Sequence, residues 1–529
     1  MRQSQSLRRF SFAVSSNFVG ELHNFVVMFS GKKMYTLLTG ATGLVGRYLV
    51  RDLLLNGHQL AVVVRPSKKC DPRARMEQIL QHWEEELGRS FPRPVVLSGN
   101  ISEPGFDLSA EDQEWVRANV NCMLHNAAIL EFFGEDRNGE PWRTNLGGTR
   151  NMIELCRDLE INDIHYVSTA YVAGTQTEPV MEDSLDAGQS FRNDYEESKF
   201  LAEMEVRAID FADHVTVYRP AVIAGDSVTG YTNTYHGIYL YLRLMALMIP
   251  SQPADEHGMR HTPIRLSMDG TESRNIIPVE WVSAVMVRLF ETQEARGGTY
   301  HLAPDTPMKS GDMIEWCGEY FKSTGAELCG RDFVAEEASR EANEDQWMFE
   351  RMVKENMGTY EAYERTDNVF DMTNMKRFAG DIVCPQIDRT ILYRYIEFGE
   401  ADRWGKSRPR DVASQDGAAE LVSSLASKQP TDAEVITVGM DVLGPGGAQL
   451  TVQFTERGIS QVAAGLPSSD DIPVLRITFE ELLRVRENPI PMADHFAASL
   501  ESAESADLQG LAAKLLDALS QDVTLTSAN

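Results

Sequence analysis

The fold of this chain is decided by the stretch YTLLTGATGLVG (residues 35–46) and the helical pattern RYLVRDLLLNG (residues 47–57) that follows it. The first stretch is an apolar run that ends in a turn with glycines at Gly40, Gly43 and Gly46. Glycine permits a tight turn, lets backbone N–H groups approach a pyrophosphate, and allows the next helix to pack closely on the strand. The N-terminus of that helix then faces the phosphates. The stretch therefore predicts a strand, a dinucleotide-binding turn and a helix.

The same alternation of short apolar runs with amphipathic stretches continues towards residue 220 and predicts an α/β fold with a doubly wound parallel sheet. The runs are rich in β-branched residues, as buried parallel strands are. The predicted strands span residues 35–40, 60–65, 94–99, 122–128, 164–170, 215–220 and 298–304, and further helices are predicted within 237–250 and 276–291.

Length predicts at least two domains, because 529 residues exceed what one hydrophobic core usually organises. The apolar runs begin only after residue 33, so the preceding segment is interpreted as a transit peptide or as the product of an upstream start codon. Strands on either side of GPGG (residues 444–447), followed by helical patterns, predict a second, smaller α+β domain. The expected organisation is an N-terminal extension (1–33), a dinucleotide-binding domain (34–404) with substrate-binding insertions at about 226–275 and 305–400, a polar linker (405–417) and the α+β domain (418–529), which ends in a helix over 508–519.

Charge and composition restrict the classes of function. The formal net charge of −29 disfavours nucleic acid as a partner, because phosphate binding needs a basic surface. The six cysteines form no CxxC pair and the histidines no HExxH pattern, so we predict no metal site and a reduced, cytoplasmic protein. His125, His165 and His301 lie in or beside apolar runs and are predicted to be hydrogen-bonded core residues. No apolar run reaches the roughly 18–20 residues that cross a bilayer, so no membrane span is expected, while peripheral contact stays open.

The end of the second strand predicts which nicotinamide cofactor the chain binds. This strand ends at Arg65, and Lys68 follows closely, whereas an NAD enzyme places an acid here to bind the ribose 2′-hydroxyl. Cations suit a 2′-phosphate. We therefore predict NADP(H), with a solvated basic loop as the alternative interpretation.

A tyrosine and a lysine form the candidate catalytic pair. Tyr195 and Lys199 lie in NDYEESKFLAEME, and their spacing puts both on one face of a helix. A tyrosine hydroxyl, with a free pKa of about 10, needs a neighbouring ammonium to stabilise its phenolate, and Lys199 can supply it. Thr169, in VSTAYVAG at the end of an earlier strand, completes the set, and Ser168 is a substitute for it.

These motifs, with HNAA (125–128), TNLGGTRNMIELC (144–156) and YRPAVIAGDSVTG (218–230), resemble the extended short-chain dehydrogenases over about residues 34–400. Within that family the chain most resembles thioester reductase domains and fatty acyl-CoA reductases. The resemblance implies an active site of Thr169, Tyr195 and Lys199 that is supported by Asn145. Where the family often has Gly-Asp after the third strand this chain has Gly99-Asn100, which bears on the adenine contact. The predicted cofactor-binding residues are Gly40, Thr42, Gly43, Leu44, Val45, Gly46, Arg65, Lys68, Asn100, Ile101, Asn126, Ala127, Ala128, Tyr195, Lys199 and Pro220.

The resemblance implies NADPH-dependent reduction of a lipophilic carbonyl, above all an acyl thioester on coenzyme A or an acyl-carrier protein, to an aldehyde or alcohol. A sterol-type alcohol dehydrogenase or a nucleotide-sugar epimerase using the same site is an alternative, as is a non-enzymatic, NADP-sensing lipid-binding protein. Residues 418–529 resemble sterol carrier protein-like domains, which enclose a tunnel for acyl chains or sterols. That resemblance implies a lipid-binding domain, with a filled packing or dimerisation module as the alternative.

Overall fold

The computed structural model describes residues 35–67, 70–333, 344–358, 363, 367–406, 417–424, 426, 435–443, 448–455, 458–467, 472, 474–478 and 482. The predicted N-terminal extension, Lys68, most of the linker, the GPGG turn and the predicted helix at 508–519 lie outside these residues.

The strands are, in chain order, β1 (Tyr35–Thr39), β2 (Leu60–Val64), β3 (Val95–Ser98), β4 (Val120–His125), β5 (Asp163–Val167), β6 (His214–Pro220), β7 (Val222–Ala224), β8 (Arg260–Leu266), β9 (Ser273–Arg274), β10 (Ile276–Pro278), β11 (Thr299–Leu302), β12 (Met308–Lys309), β13 (Ser323–Leu328), β14 (Ile436–Leu443), β15 (Ala448–Thr455), β16 (Gly458–Ala464) and β17 (Val474–Thr478). The helices are α1 (Leu44–Leu55), α2 (Pro72–Leu87), α3 (Ala110–Asn119), α4 (Gly148–Asp158), α5 (Asp194–Arg207), α6 (Ile238–Met248), α7 (Val279–Glu291), α8 (Ser310–Phe321), α9 (Glu344–Met357), α10 (Thr373–Ala379), α11 (Arg389–Ala401) and α12 (Gly417–Ser424).

A parallel sheet with the strand order β11-β6-β5-β4-β1-β2-β3 organises the large domain. This confirms the predicted doubly wound fold. The winding direction reverses between β1 and β4, and doubly wound proteins bind ligands at the carboxyl ends of such strands. The turn after β1 and the loop after β4 therefore border the expected binding crevice.

The two faces of the sheet are buried in separate hydrophobic cores. Leu38 and Val62 point to one core, which α1, α2, α7 and α10 cover. Leu37 and Val63, which are adjacent to Leu38 and Val62 in the same strands, point to the other core. Helices α3, α4 and α5 cover that core. Burial on both faces explains the near-continuous apolar runs of the sequence.

A further layer is built from the two expected insertions. α6, α8 and α11 pack around Leu242 and Tyr395, and α6, α9 and β8 pack around Leu244 and Ile264. The stretch 305–400 is charged and largely helical in composition, but β13 within it is extended and pairs in parallel with β8. The difference arises because α8 ends at Lys322 in the left-handed conformation, and the STGAEL segment after it has no helical period of apolar residues.

The C-terminal part forms a second, smaller α+β domain. Its sheet has the order β16-β15-β14-β17, and β14 and β15 form the predicted antiparallel hairpin. Its core includes Val422 of α12 with Met440, Val452 and Phe454 of the strands. The similarity to sterol carrier proteins and lipid binding by this domain stay predictions. Among the described helices, none combines the length and apolarity that a membrane crossing requires.

Candidate active site

The glycine turn after β1 needs two of its glycines for steric reasons. Gly40 has a φ of +72°, and a Cβ there would lie 2.8 Å from the backbone nitrogen of Ala127. A Cβ on Gly46 would collide with the carbonyl oxygen of Gly40. Gly43 immediately precedes α1, which has no acidic residue in its first turn. The turn thus forms a closely packed cradle at a helix N-terminus, which fits a dinucleotide pyrophosphate.

The loop after β4 is fastened to the end of β1. The hydroxyl oxygen of Thr39 accepts hydrogen bonds from the backbone nitrogens of Asn126 and Ala127, both at 3.2 Å, and lies 3.0 Å from His125 Nδ1. Burial, with a smaller effect of the nearby Lys199 charge, lowers the pKa of His125 to about 3. His125 is therefore a neutral core residue, as predicted, and it holds the loop in place.

Arginines surround the turn where a 2′-phosphate is expected. Arg65 is exposed at the end of β2, and Arg75 of α2 donates to its carbonyl oxygen at 2.7 Å and to Thr42 Oγ1 at 3.0 Å. Arg47 donates to the Thr42 carbonyl oxygen at 3.2 Å. Burial and then the charge of Arg65, with a smaller effect of Arg47, lower the pKa of Arg75. An anion placed among these cations would relieve that repulsion. Neither Arg75 nor Arg47 was identified from the sequence.

Helix α5 brings the tyrosine and the lysine to the end of β5. The side chain of Asn193 caps this helix by accepting a hydrogen bond from Glu196 N at 3.0 Å. Burial raises the pKa of Tyr195 to about 12, against a hydrogen bond with the Thr169 side chain that lowers it. Burial lowers the pKa of Lys199, which is 1% exposed, to about 7.

The ammonium of Lys199 is held by β5 rather than by Tyr195. Its Nζ donates to Tyr166 OH at 2.8 Å and to the Val167 carbonyl oxygen at 2.9 Å, and it lies 4.3 Å from the centre of the Tyr166 ring. Besides burial, a hydrogen bond with the Thr169 side chain lowers the pKa of Tyr195 and the charge of Glu196 raises it. Stabilisation of the Tyr195 phenolate by Lys199 stays a prediction.

Asn145 packs between the loop after β4 and helix α5. Its Oδ1 accepts from Ile129 N at 2.9 Å, and its Nδ2 donates to the Ile129 carbonyl oxygen at 3.1 Å and to Ser198 Oγ at 3.2 Å. The side chain thus joins the loop to α5, and it does not line the main cavity of the site.

The Ser168 hydroxyl, unlike that of the neighbouring Thr169, is not directed towards Tyr195. It donates to Glu203 Oε2 at 2.6 Å, inside a buried ion pair in which Arg219 Nη2 lies 2.7 Å from Glu203 Oε1. Ser168 lines the same cavity as Thr169, but Glu203 holds its hydroxyl, so Thr169 stays the predicted partner of Tyr195.

On the side where adenine is expected, Asn100 is engaged within its own turn. Its backbone nitrogen donates to the Phe106 carbonyl oxygen at 2.7 Å, and its Oδ1 accepts from Ser102 N at 3.3 Å. Its Nδ2 is the side-chain group that an adenine nitrogen could accept from. Ile101 lies beside it on the cavity wall, and its carbonyl oxygen accepts from Asn151 Nδ2 at 2.8 Å.

One cavity of about 610 Å³ brings most of the predicted site residues together. Its wall includes Gly40, Thr42, Gly43, Leu44, Val45, Arg65, Asn100, Ile101, Asn126, Ala127, Ala128, Thr169, Tyr195, Lys199 and Pro220. Gly46 is outside the wall because it packs under Gly40, and Lys68 is not among the described residues. Residues that the sequence did not indicate, including Arg75, Tyr171, Arg274, Tyr363 and Asp367, complete it.

The described residues include one group with the spacing of metal ligands, away from this cavity. Ligand atoms of Cys122, Asp163 and His165 lie within 4.8 Å of one another. Arg296 Nη1 lies 3.1 Å from Asp163 Oδ2, and its charge opposes a cation there, so we assign no metal to this group. His165 was predicted to be a hydrogen-bonded core residue, and its Nδ1 bonds Tyr218 OH at 2.8 Å. Its Nε2 lies 3.5 Å from Asp163 Oδ1 without a hydrogen bond, so one of its two ring nitrogens is hydrogen-bonded.

Residues 38–286 match an NAD-binding family model described as male sterility protein. Residues of that segment form most of the cavity wall, from the glycine turn to the candidate catalytic pair Tyr195 and Lys199. Residues 38–286 form an oxidoreductase domain of the extended short-chain dehydrogenase type. Such a domain binds a nicotinamide dinucleotide, and the glycine cradle has the shape that this ligand requires.

The oxidoreductase domain and the residues after it are similar to parts of much larger proteins. The chain is 25% identical over 393 residues to the aldehyde reductase lnaA of Aspergillus flavus, covering 68% of this chain and 35% of that protein. It is 23% identical over 390 residues to a non-canonical nonribosomal peptide synthetase of Aspergillus hancockii, covering 68% of this chain and 36% of that protein. The chain thus spans about a third of the length of these curated relatives.

A solved structure shares the fold. It is the terminal R domain from the myxalamid PKS-NRPS biosynthetic pathway, with a TM-score of 0.56 and 22% sequence identity. The similarity covers 72% of this chain and 93% of that one.

Proposed function

We propose that this chain reduces an acyl thioester with NADPH and releases an aldehyde. The observation that carries the proposal is the single cavity that joins the glycine cradle to Thr169, Tyr195 and Lys199. The relatives support it, because one is named an aldehyde reductase and another a nonribosomal peptide synthetase, a class of enzyme that carries its intermediates as thioesters. The acyl group is presented on coenzyme A or on an acyl-carrier protein in the cytoplasm.

The cofactor supplies a hydride to the carbonyl carbon when it is bound. Thr169 and Tyr195 bind the carbonyl oxygen through their hydroxyls, and Tyr195 donates the proton that the oxygen acquires. The high pKa of Tyr195 keeps its proton in place until the oxygen becomes basic. Collapse of the resulting hemithioacetal breaks the carbon–sulfur bond and leaves an aldehyde and a free thiol. Lys199 would bind the ribose hydroxyls of the cofactor beside Tyr195, and Asn145 would act as a positioning residue, because it fixes the loop after β4.

NADPH is proposed over NADH because of the arginines at the turn. Arg65 and Arg75 line the cavity next to Thr42, where the adenine ribose of a cofactor on the glycine cradle would lie. A guanidinium fork matches the oxygens of a phosphate, so these cations favour the cofactor with a 2′-phosphate.

The proposal is tested with the purified full chain, NADPH and dodecanoyl-coenzyme A, with products identified by mass spectrometry. We expect dodecanal and free coenzyme A. The substitution Tyr195→Phe should lower kcat by about 10²- to 10⁴-fold, the usual contribution of a positioned acid, while the Kd for NADPH stays within a factor of about two. Full activity in Tyr195→Phe, or no product from thioesters on coenzyme A and on a carrier protein, contradicts the proposal.

A further inference from the structure

A second cavity of about 280 Å³ lies next to the active-site cavity. Three side chains, those of Tyr241, Met268 and Met313, line both cavities and form the wall between them. Each comes from the two insertions rather than from the parallel sheet. The boundary between the two cavities is therefore formed by the insertions and not by the strands of the sheet.

The wall of this second cavity is mainly apolar. α6 contributes Leu244, Met245 and Met248, and β8, α8 and α9 complete the wall with Ile264, Leu266, Met313, Ile314, Val353 and Met357. A wall of this kind favours a ligand without polar groups.

The polar side chains of the wall include two pairs that already bond each other. Arg265 Nε lies 2.7 Å from Glu350 Oε1, and Thr262 Oγ1 lies 3.0 Å from Ser323 Oγ. A polar ligand would have to replace these bonds, whereas a hydrocarbon chain leaves them intact. The paired groups therefore strengthen the preference for a purely apolar occupant.

The side chains that separate the two cavities can change conformation to admit such an occupant. Met268 and Met313 have flexible, unbranched side chains that adapt to irregular neighbours, so a change of rotamer joins the two cavities without moving the backbone. We infer that the second cavity binds the distal part of the acyl chain of the thioester, and so selects medium and long chains over short ones. This inference rests on the proposed function, because it assigns a subsite to the same reaction.

The physical consequence is a dependence of kcat/KM on chain length. Each methylene that enters the cavity should raise kcat/KM about fourfold, the ratio expected for burying one CH₂ group. The increase should stop when the cavity is full. A series from butyryl- through octanoyl- to dodecanoyl- and palmitoyl-coenzyme A measures this directly.

Leu244→Phe tests the location of the subsite. Leu244 is 8% exposed and lines only the second cavity, so a larger side chain there fills the space without touching Tyr195 or the glycine turn. We expect kcat/KM for dodecanoyl-coenzyme A to fall at least about tenfold, the effect of excluding about two methylene groups from the cavity, while kcat/KM for butyryl-coenzyme A is unchanged. Leu247→Phe is the matched control, because Leu247 lies on the same helix but is 59% exposed.

The outcomes separate the two claims. Turnover of all chain lengths with equal kcat/KM, or an equal loss with long and short chains in a folded Leu244→Phe protein, overturns the subsite and leaves the reductase proposal standing. A thermal unfolding midpoint like that of Leu247→Phe establishes that the variant is folded. If thioesters of every length are left unreduced by the unmodified protein, the proposed function itself fails, and the subsite fails with it.

Discussion

Burial changes the two central titrating side chains in opposite directions. It raises the pKa of Tyr195 to about 12, because the phenolate is the charged form, and it lowers the pKa of Lys199 to about 7, because the ammonium is the charged form. At neutral pH Tyr195 thus holds its proton, while Lys199 is close to the midpoint of its titration. Of these two side chains, the lysine is the one whose titration falls in the physiological pH range.

The first prediction at this scale concerns that pH dependence. The charged form of Lys199 dominates below its pKa, so a step that needs the ammonium is fully active below about pH 7 and weakens as the pH rises through this value. kcat/KM for NADPH reports the free enzyme, and we expect it to fall about tenfold per pH unit above the midpoint. Lys199→Arg keeps the charge at all these pH values and should lose this decline, even if its rate is lower. The same alkaline decline in both proteins would contradict the assignment to Lys199.

At the scale of elements, helix α2 has a function that its sequence does not reveal. This helix starts at Pro72, after its N-cap Asp71, and places Arg75 beside the glycine turn. The Arg75 guanidinium donates to the Arg65 carbonyl oxygen at the end of β2 and to Thr42 Oγ1. The helix therefore contributes a cation to the site although its residues show no motif for it.

The second prediction follows from this arrangement. Arg75→Gln removes the charge-assisted contact that we propose to the 2′-phosphate, so the ratio of kcat/KM for NADPH to kcat/KM for NADH should fall about tenfold or more. Arg73→Gln is the matched control, since Arg73 is exposed on the same helix and does not line the cavity. An unchanged ratio in Arg75→Gln, or an equal change in Arg73→Gln, would show that the arginine does not bind the phosphate.

Local sequence patterns predict some of the site residues and miss others. Gly46 was predictable because its steric constraint acts within one turn, and the strands were predictable because burial on both faces makes them continuously apolar. The close approach of Ala127 to Gly40 instead depends on how the loop after β4 packs. The position of Arg75 depends on how α2 lies against the sheet, which no local pattern encodes. Tyr166 was likewise missed as the partner of Lys199, because it reads as one more apolar residue in a buried strand.

At the scale of the whole molecule, the sheet order determines where the chemistry is located. The reversal between β1 and β4 brings the glycine turn and the loop at Asn126 to one edge, and the insertions face that edge with their own apolar layer. The sequence predicted an insertion at about 226–275 and another at 305–400, but the cavity between α6, α8, α9 and β8 depends on long-range packing. Among the described residues, the smaller α+β domain has its own core and shares no core residue with the oxidoreductase domain.

The central claim is that the chain transfers hydride from NADPH to the carbonyl carbon of a thioester. The most direct test supplies dodecanoyl-coenzyme A together with NADPH that is deuterated at C4 of the nicotinamide, in each of its two stereochemical forms. The number of deuterium atoms in the product is then measured by mass spectrometry. We expect dodecanal with one deuterium on its carbonyl carbon from one of the two forms and none from the other; an alcohol product would carry two. Reduced product that lacks deuterium with both forms, or deuterium without release of free coenzyme A, would contradict it.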